Sequence, residues 1–156
     1  MAFDRVKKIL DNALALDENK IINQILSNKS FQEFIIDLNT EGQLFDKGIN
    51  SLGVKLSDIG GLYSELTITR SRKKGKPKKS RSHVDLLDTE VYYKSFVIRL
   101  FNDSFDIVSD PNKDDGTSLF DRWGKEIEGL TEENLQKVID AIRSKIIPII
   151  RARILA

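Results

Sequence analysis

Arg70-Ser71-Arg72-Lys73-Lys74-Gly75-Lys76-Pro77-Lys78-Lys79-Ser80-Arg81 runs on, two residues later, into Val84-Asp85-Leu86-Leu87-Asp88-Thr89-Glu90-Val91-Tyr92-Tyr93-Lys94-Ser95-Phe96. The reading of the chain turns on these two unlike halves. The first carries eight basic residues and no acidic one. So dense a like charge, with Gly75 and Pro77 within it, cannot bury enough apolar surface to offset the entropy of ordering, and residues 70–83 read as a basic flexible loop. The second half has apolar and aromatic residues at spacings that suit a packed element. It leads straight into the strongest strand signal in the chain.

That signal is Phe96-Val97-Ile98-Arg99-Leu100-Phe101 and Ser104-Phe105-Asp106-Ile107-Val108, flanking Asn102-Asp103. Two β-rich runs around such a turn predict a long antiparallel hairpin. A hairpin alone is marginal in water, so it must pack on helices or join the sheet of another subunit. Just before it, Asp88 or Thr89 is placed to cap a short helix through Tyr93.

The rest reads mostly helical. Phe3, Val6, Ile9, Leu10, Ala13, Leu14 and Leu16 recur at three-to-four spacing, and Ile21, Ile22, Ile25 and Leu26 resume the pattern after Asp17-Glu18-Asn19. Ser30 and Glu33 have the spacing of a capping box ahead of a stripe through Phe31, Phe34, Ile35 and Leu38, with Gly48 as its left-handed stop. These stripes predict core-facing helices. Residues 49–61 hold Gly53, Gly60 and Gly61 among polar residues and read as loop. Residues 62–69 fit both a strand and a helix. Ser118 to Ile127 reads as a short helix carrying Leu119, Phe120, Trp123 and Ile127. Thr131 caps a long C-terminal helix with Glu132 and Glu133 at the positive end of its dipole, and Pro148 inside it predicts a kink or break. The fold class expected is α+β, one domain over residues 1–156, mostly helical with a small sheet.

At 156 residues the chain can bury a sizeable core, and 40% apolar with 31% charged residues is ordinary for a globular protein. Taking away the eight cations of residues 70–81 turns the net charge of +1 into −7 for the remainder. A basic loop on an acidic body points to contact with an anion, either nucleic acid or the acidic face of a neighbouring subunit. There is no cysteine, which excludes thiol chemistry and zinc–thiolate sites. No apolar run approaches the roughly 20 residues that span a bilayer, and the first residues lack the apolar centre of a signal peptide. The expectation is a chain made in the cytoplasm, with no membrane partner.

Candidate sites are few. His83 is the single histidine and has no second group to complete a nucleophile or metal set. Asp110-Asn112-Asp114 has calcium-loop spacing, but Asp115 stands where the sharp turn needs Gly. No phosphate-cradling glycine motif follows a strand. No catalytic residue, metal or cofactor is expected, and the chain does not read as an enzyme. The candidate anion or interface contacts are Arg70, Arg72, Lys73, Lys74, Lys76, Lys78, Lys79 and Arg81. They admit three readings: a solvated loop, phosphate neutralisation, or a contact with an acidic neighbour. No aromatic residue interrupts them, so base stacking is not supported. Trp123 beside Arg122 is either a core tryptophan or an interface anchor.

Three pieces together resemble a family. They are Phe45-Asp46-Lys47-Gly48-Ile49 with Tyr63-Ser64-Glu65-Leu66-Thr67-Ile68, then Leu86 to Phe96, then Gly129-Leu130-Thr131-Glu132-Glu133-Asn134-Leu135. Their order over residues 45–135 resembles the small neck proteins of tailed bacteriophages, known as tail-completion, virion-morphogenesis or head–tail connector proteins. That family's pattern has Leu-x-x-Thr-Gly before an apolar or aromatic residue and a Ser, and Glu90 stands here in place of its Gly. The resemblance implies a structural virion protein. It would form a homo-oligomeric ring, on the order of six or twelve subunits, around the DNA channel between portal and tail. Its partners would be the portal, other neck and tail proteins and the passing DNA, and its place the neck region of the virion. The competing expectation is a small nucleic-acid-binding module acting through the basic loop.

Overall fold

The computed structural model describes residues 2–88, 90–102 and 104–156, with the backbone alone at residues 2 and 3. Phe3 as part of a stripe, Thr89 as a cap and Asp103 in the hairpin turn lie outside the described residues or side chains. The fold is α+β: mostly helical, with one two-stranded antiparallel sheet among the described residues and a long C-terminal helix.

Three helices open the chain: α1 (Ala2–Leu14), α2 (Glu18–Leu26) and α3 (Lys29–Asp37). Asp17 caps α2 by accepting from Lys20 N at 3.1 Å, and Asn28 caps α3 by accepting from Phe31 N at 3.1 Å. The capping box expected from Ser30 and Glu33 is not used. Asn28 serves two residues earlier, satisfying the free donors at the start of the helix before Ser30 is reached. From Leu38 the helix widens into a π-helix, Leu38–Lys47, which Gly48 ends at φ +62°. A Cβ at Gly48 would also crowd Val84 O at 2.9 Å, so glycine is required there twice over.

The next region corrects two expectations. Residues 49–61 contain a short helix, α4 (Leu56–Gly60), because Leu56 is fully buried and anchors that turn. The basic run does not begin as a loop. α5 (Glu65–Lys73) includes Arg70, Arg72 and Lys73 in its last turn, and Ser64 caps its start by accepting from Thr67 N at 3.1 Å. Cations are favoured there by the negative end of the helix dipole, and Ile68 ties the helix to the core. Helix thus wins the ambiguity of residues 62–69, from Glu65 onward.

After α6 (Val91–Lys94) come β1 (Val97–Leu100) and β2 (Phe105–Val108), paired Val97 with Val108, Ile98 with Ile107, Arg99 with Asp106 and Leu100 with Phe105. Ile98, Leu100, Phe105 and Ile107 share the covered face, and β1 lies against α3. Arg99 and Asp106 oppose each other on the exposed face, a favourable cross-strand pair. No third strand joins the sheet among the described residues. α7 (Leu119–Trp123) is shorter than expected because Gly124 leaves it at φ +79°, and Lys125–Ile127 form a separate 3-10 turn.

α8 (Glu132–Leu155) is capped by Thr131 and continues through Pro148 to Leu155 without a break. The proline removes one hydrogen bond, but Ile142, Ile146, Ile149 and Ile150 pack on either side of it and hold both halves in one helix. α1 and α2 both lie against α8. The centre of the core is Ile21, Ile35, Leu44, Leu56 and Ile127, all 0% exposed. Each such side chain is worth about 1.5–3 kcal/mol when fully buried. α1 does not share in this burial. Val6, Leu10 and Leu14 are 55%, 55% and 79% exposed, so its stripe is not the core face that its periodicity predicts.

Candidate functional site

Residues from the pieces of sequence that carry the resemblance take part in two buried polar nodes. In the first, Tyr63 OH donates to Asp85 Oδ1 at 3.0 Å and accepts from Asp85 N at 3.2 Å and Leu86 N at 3.1 Å. Asp85 Oδ1 also accepts from Leu87 N at 3.0 Å, and Tyr93 OH donates to Asp85 O. Lys78 closes this node. Its Nζ is 2.6 Å from Asp85 Oδ1, it also donates to Leu87 O, and it lies 5.2 Å from the Tyr63 ring centroid. The two charged side chains are 7% and 4% exposed. Burial, with Asp85 beside them, pushes the Tyr63 and Tyr93 phenols well above their ordinary range.

Lys78 is therefore no surface cation available to phosphate, which corrects its place among the anion contacts. A buried charge must be paired and hydrogen-bonded, and Asp85 is the partner that makes burial tolerable. The backbone follows suit: Lys78 N donates to Ser71 Oγ at 3.2 Å, and Ser71 Oγ to Ile68 O at 2.8 Å. Tyr63 N donates to Arg81 O, and Arg81 Nε to Tyr63 O, both at 2.9 Å. His83 Nε2 lies 2.6 Å from Phe45 O. Residues 74–83 have no regular structure, yet side chains tie them to the body at Lys78, Arg81 and His83.

Most of the other cations are matched within the chain. Lys74 reaches Asp88 at 2.9 Å, Lys79 reaches Asp46 at 3.7 Å, Arg81 reaches Glu65 at 3.6 Å, and Lys76 pairs with Glu90. The Lys74 hydrogen bond holds the Asp88 carboxyl below its ordinary range, and Lys76 with Lys94 does the same to Glu90. Exposed pairs of this kind add little stability, but they lower the charge left to attract an anion. Arg70, Arg72 and Lys73 have no ion-pair partner among the described residues. Glu90 itself has φ +68°, so the position held by Gly in the resembling pattern does adopt the left-handed conformation.

The second node joins the π-helix to the start of α8. Asn39 Nδ2 donates to Ile127 O at 3.1 Å, and Asn39 Oδ1 accepts from Gly129 N at 3.0 Å. Gln43 Nε2 donates to Gly129 O at 3.0 Å, and its Oε1 accepts from Thr131 N at 2.8 Å and Asn134 Nδ2 at 2.9 Å. Two buried amides one helical turn apart thus grip the backbone of residues 127–131 as a neighbouring strand would. Sequence reasoning missed both nodes. The available signals were an aspartate inside Val84-Asp85-Leu86-Leu87 and the four-residue spacing of Asn39 and Gln43.

Trp123 is 5% exposed and belongs to the interior, so it is not an exposed interface anchor. Gly60 packs against the edge of its indole, and the exposed Arg122 guanidinium lies 4.6 Å from the ring centroid while Nε donates to Gly60 O at 2.7 Å. The carboxylates of the 110–115 loop turn back on their own chain: Asp110 Oδ1 accepts from Asn112 N, and Asp115 Oδ1 from Thr117 N, both at 3.0 Å. Among the described residues no group of three or more His, Asp or Glu stands where it could hold a metal ion, and no helix is long and apolar enough to cross a membrane. No protein-family model, curated protein or solved structure compared with the chain matches it.

Apolar side chains also remain uncovered. Besides the α1 stripe, Leu62 just before α5, Leu66 within it, and Val97 and Phe101 on the hairpin are about half exposed. Both edges of the hairpin lack a strand partner among the described residues, and unpaired edges recruit another chain.

Proposed function

We propose that the chain is a structural virion protein of a tailed phage, a head–tail connector subunit that assembles into a ring joining portal and tail. The observation that carries this reading is where the pieces that bear the resemblance go. Tyr63 and Tyr93, from two of them, meet at Asp85 in one buried node, and Gly129, Thr131 and Asn134, from the third, are held by Asn39 and Gln43 in the other. These pieces build a scaffold, while apolar α1 and the hairpin edges stay open for neighbours. The partners are further copies of the chain, the portal and adjoining neck and tail proteins, around a channel for DNA.

Deleting the gene from the phage or prophage genome that carries it tests this. The expected result is DNA-filled heads and unattached tails, joined again when the protein is resupplied. Complete infectious particles without the protein would contradict the reading.

A second reading, a small nucleic-acid-binding module, is favoured by one observation: Arg70, Arg72 and Lys73 at the end of α5 have no ion-pair partner among the described residues. It calls for binding that weakens steeply with salt and is lost when those three are neutralised.

A further inference from the structure

Successive residues of a strand point to opposite faces of its sheet, so a cavity that touches all of them runs along the strand's edge. Ser104, Phe105, Asp106, Ile107 and Val108 all line one groove of about 700 Å³. Its other side is apolar, with Ile22 and Leu26 of α2 and Leu135 and Ile142 of α8. β2 therefore presents its free edge to unfilled space.

The register decides which backbone groups face outward. Phe101 N donates to Ser104 O at 2.8 Å, which makes these two a hydrogen-bonded pair. Hydrogen-bonded and non-hydrogen-bonded pairs alternate along an antiparallel ladder, so Arg99 with Asp106 and Val97 with Val108 are hydrogen-bonded too. The N–H and C=O groups of Ile98 and Leu100 on β1, and of Phe105 and Ile107 on β2, point away from the partner strand. None of them finds another backbone partner among the described residues.

The two edges match each other. Laid antiparallel beside β2 in the hairpin's own register, β1 of a second copy sets its Leu100 against Phe105, its Ile98 against Ile107 and its Arg99 against Asp106. The first two become hydrogen-bonded pairs, which closes every outward group on both edges. Ile98, Leu100, Phe105 and Ile107 all lie on the covered face, so apolar meets apolar. Arg99 and Asp106 are exposed, and neither has an ion-pair partner among the described residues. The symmetric β2–β2 contact that closes the same groups would set Asp106 against Asp106, and the β1–β1 contact Arg99 against Arg99. Like charges directly opposite are destabilising, so charge selects the contact between unlike edges.

A contact between unlike edges propagates head to tail, and it closes into a ring when the rotation between copies permits. Resting on the ring reading above, we infer that β1 of one copy pairs antiparallel with β2 of the next, Arg99 opposite Asp106.

The chain has no cysteine, so introduced cysteines report this contact without background. Across the junction Val97 and Val108 become a non-hydrogen-bonded pair, with Cα atoms about 4.5 Å apart, a separation that a disulfide spans. Full-length Val97→Cys and Val108→Cys proteins are mixed under mild oxidation and run without reductant. The expected result is a disulfide-linked dimer in the mixture at least tenfold above either protein alone. Arg99→Asp and Asp106→Arg should each abolish the oligomer. The double exchange should restore it, yet exclude wild-type copies, whose charges then face like charges. Because the double exchange also restores the pair within the hairpin, it decides the question even where a single change unfolds the chain. Either cysteine protein linking to itself as readily would mean a symmetric contact and overturn the proposal. A double variant that mixes freely with the wild type would overturn it too. An oligomer that forms with no mixed cross-link, and that survives Arg99→Asp, would overturn it while leaving the ring reading in place. A monomer at millimolar concentration with no cross-link, alone or with the portal, would also overturn it, and portal binding would then decide the ring reading separately.

Discussion

Lys78 Nζ stands 2.6 Å from Asp85 Oδ1, with less than a tenth of either side chain exposed. One cation of a run that reads as solvated is thus a central fixture of the interior, binding residues 74–83 to Asp85 and Leu87. Removing either partner strands a charge away from water. We expect Asp85→Ala and Lys78→Met each to cost about 3–5 kcal/mol in urea unfolding. The double variant should lose much less than the sum. Replacing Lys73, Lys74 and Lys79 with Ser should change stability little, since exposed pairs contribute at most about 1 kcal/mol. Additive losses at Lys78 and Asp85 would show that the pair is not coupled.

Glu90→Gly should raise the thermal midpoint. The residue holds φ +68°, where a side chain is disfavoured and glycine is not. The ion pairs with Lys76 and Lys94 that the change removes are exposed and worth less than the relieved backbone. A lower midpoint would mean that the lysines matter more than the strain.

The three tyrosines of the chain, Tyr63, Tyr92 and Tyr93, are all buried, and burial raises each above the ordinary value of 10.0. A raised folded value means that their contribution is complete below pH 10 and is lost as the pH rises beyond it. Ultraviolet tyrosinate absorbance should therefore appear together with loss of helical circular dichroism, in one alkaline transition. Tyrosinate forming in a folded protein would contradict this.

Acid acts through other groups. Hydrogen bonds from Lys137 and Lys47 lower Glu133 from 4.5 to about 2. The stability they lend is present above pH 4.5 and lost as the pH falls towards 2. Glu41, raised by burial and by Asp37, Asp46 and Glu90, works in the opposite sense. Urea unfolding followed across this range should show a smaller drop for Lys47→Ala than for the wild type. An unchanged drop would remove Glu133 from the account.

Much of this fold is legible in the residues. Alternation around Asn102 marks the hairpin, Thr131 with two following glutamates marks the start of α8, and Gly48 marks the end of the π-helix. What misleads is any feature whose meaning is set by distant partners. Charge density alone makes Lys78 look solvated, because Asp85 is a neighbour only after folding. Pro148 looks like a breaker, because the isoleucines that hold α8 across it act through tertiary packing. Val6, Leu10 and Leu14 have the period of a core face, and period cannot tell a buried stripe from an exposed one. Lys78 and Trp123 look like contact residues for the same reason, yet both lie in the interior.

Particle mass in solution, measured on the purified wild-type protein alone and with the portal, tests the assembly account most directly. A single closed oligomer is expected, formed alone or on the portal template. A protein that stays monomeric at every concentration and binds no portal or neck complex would contradict it.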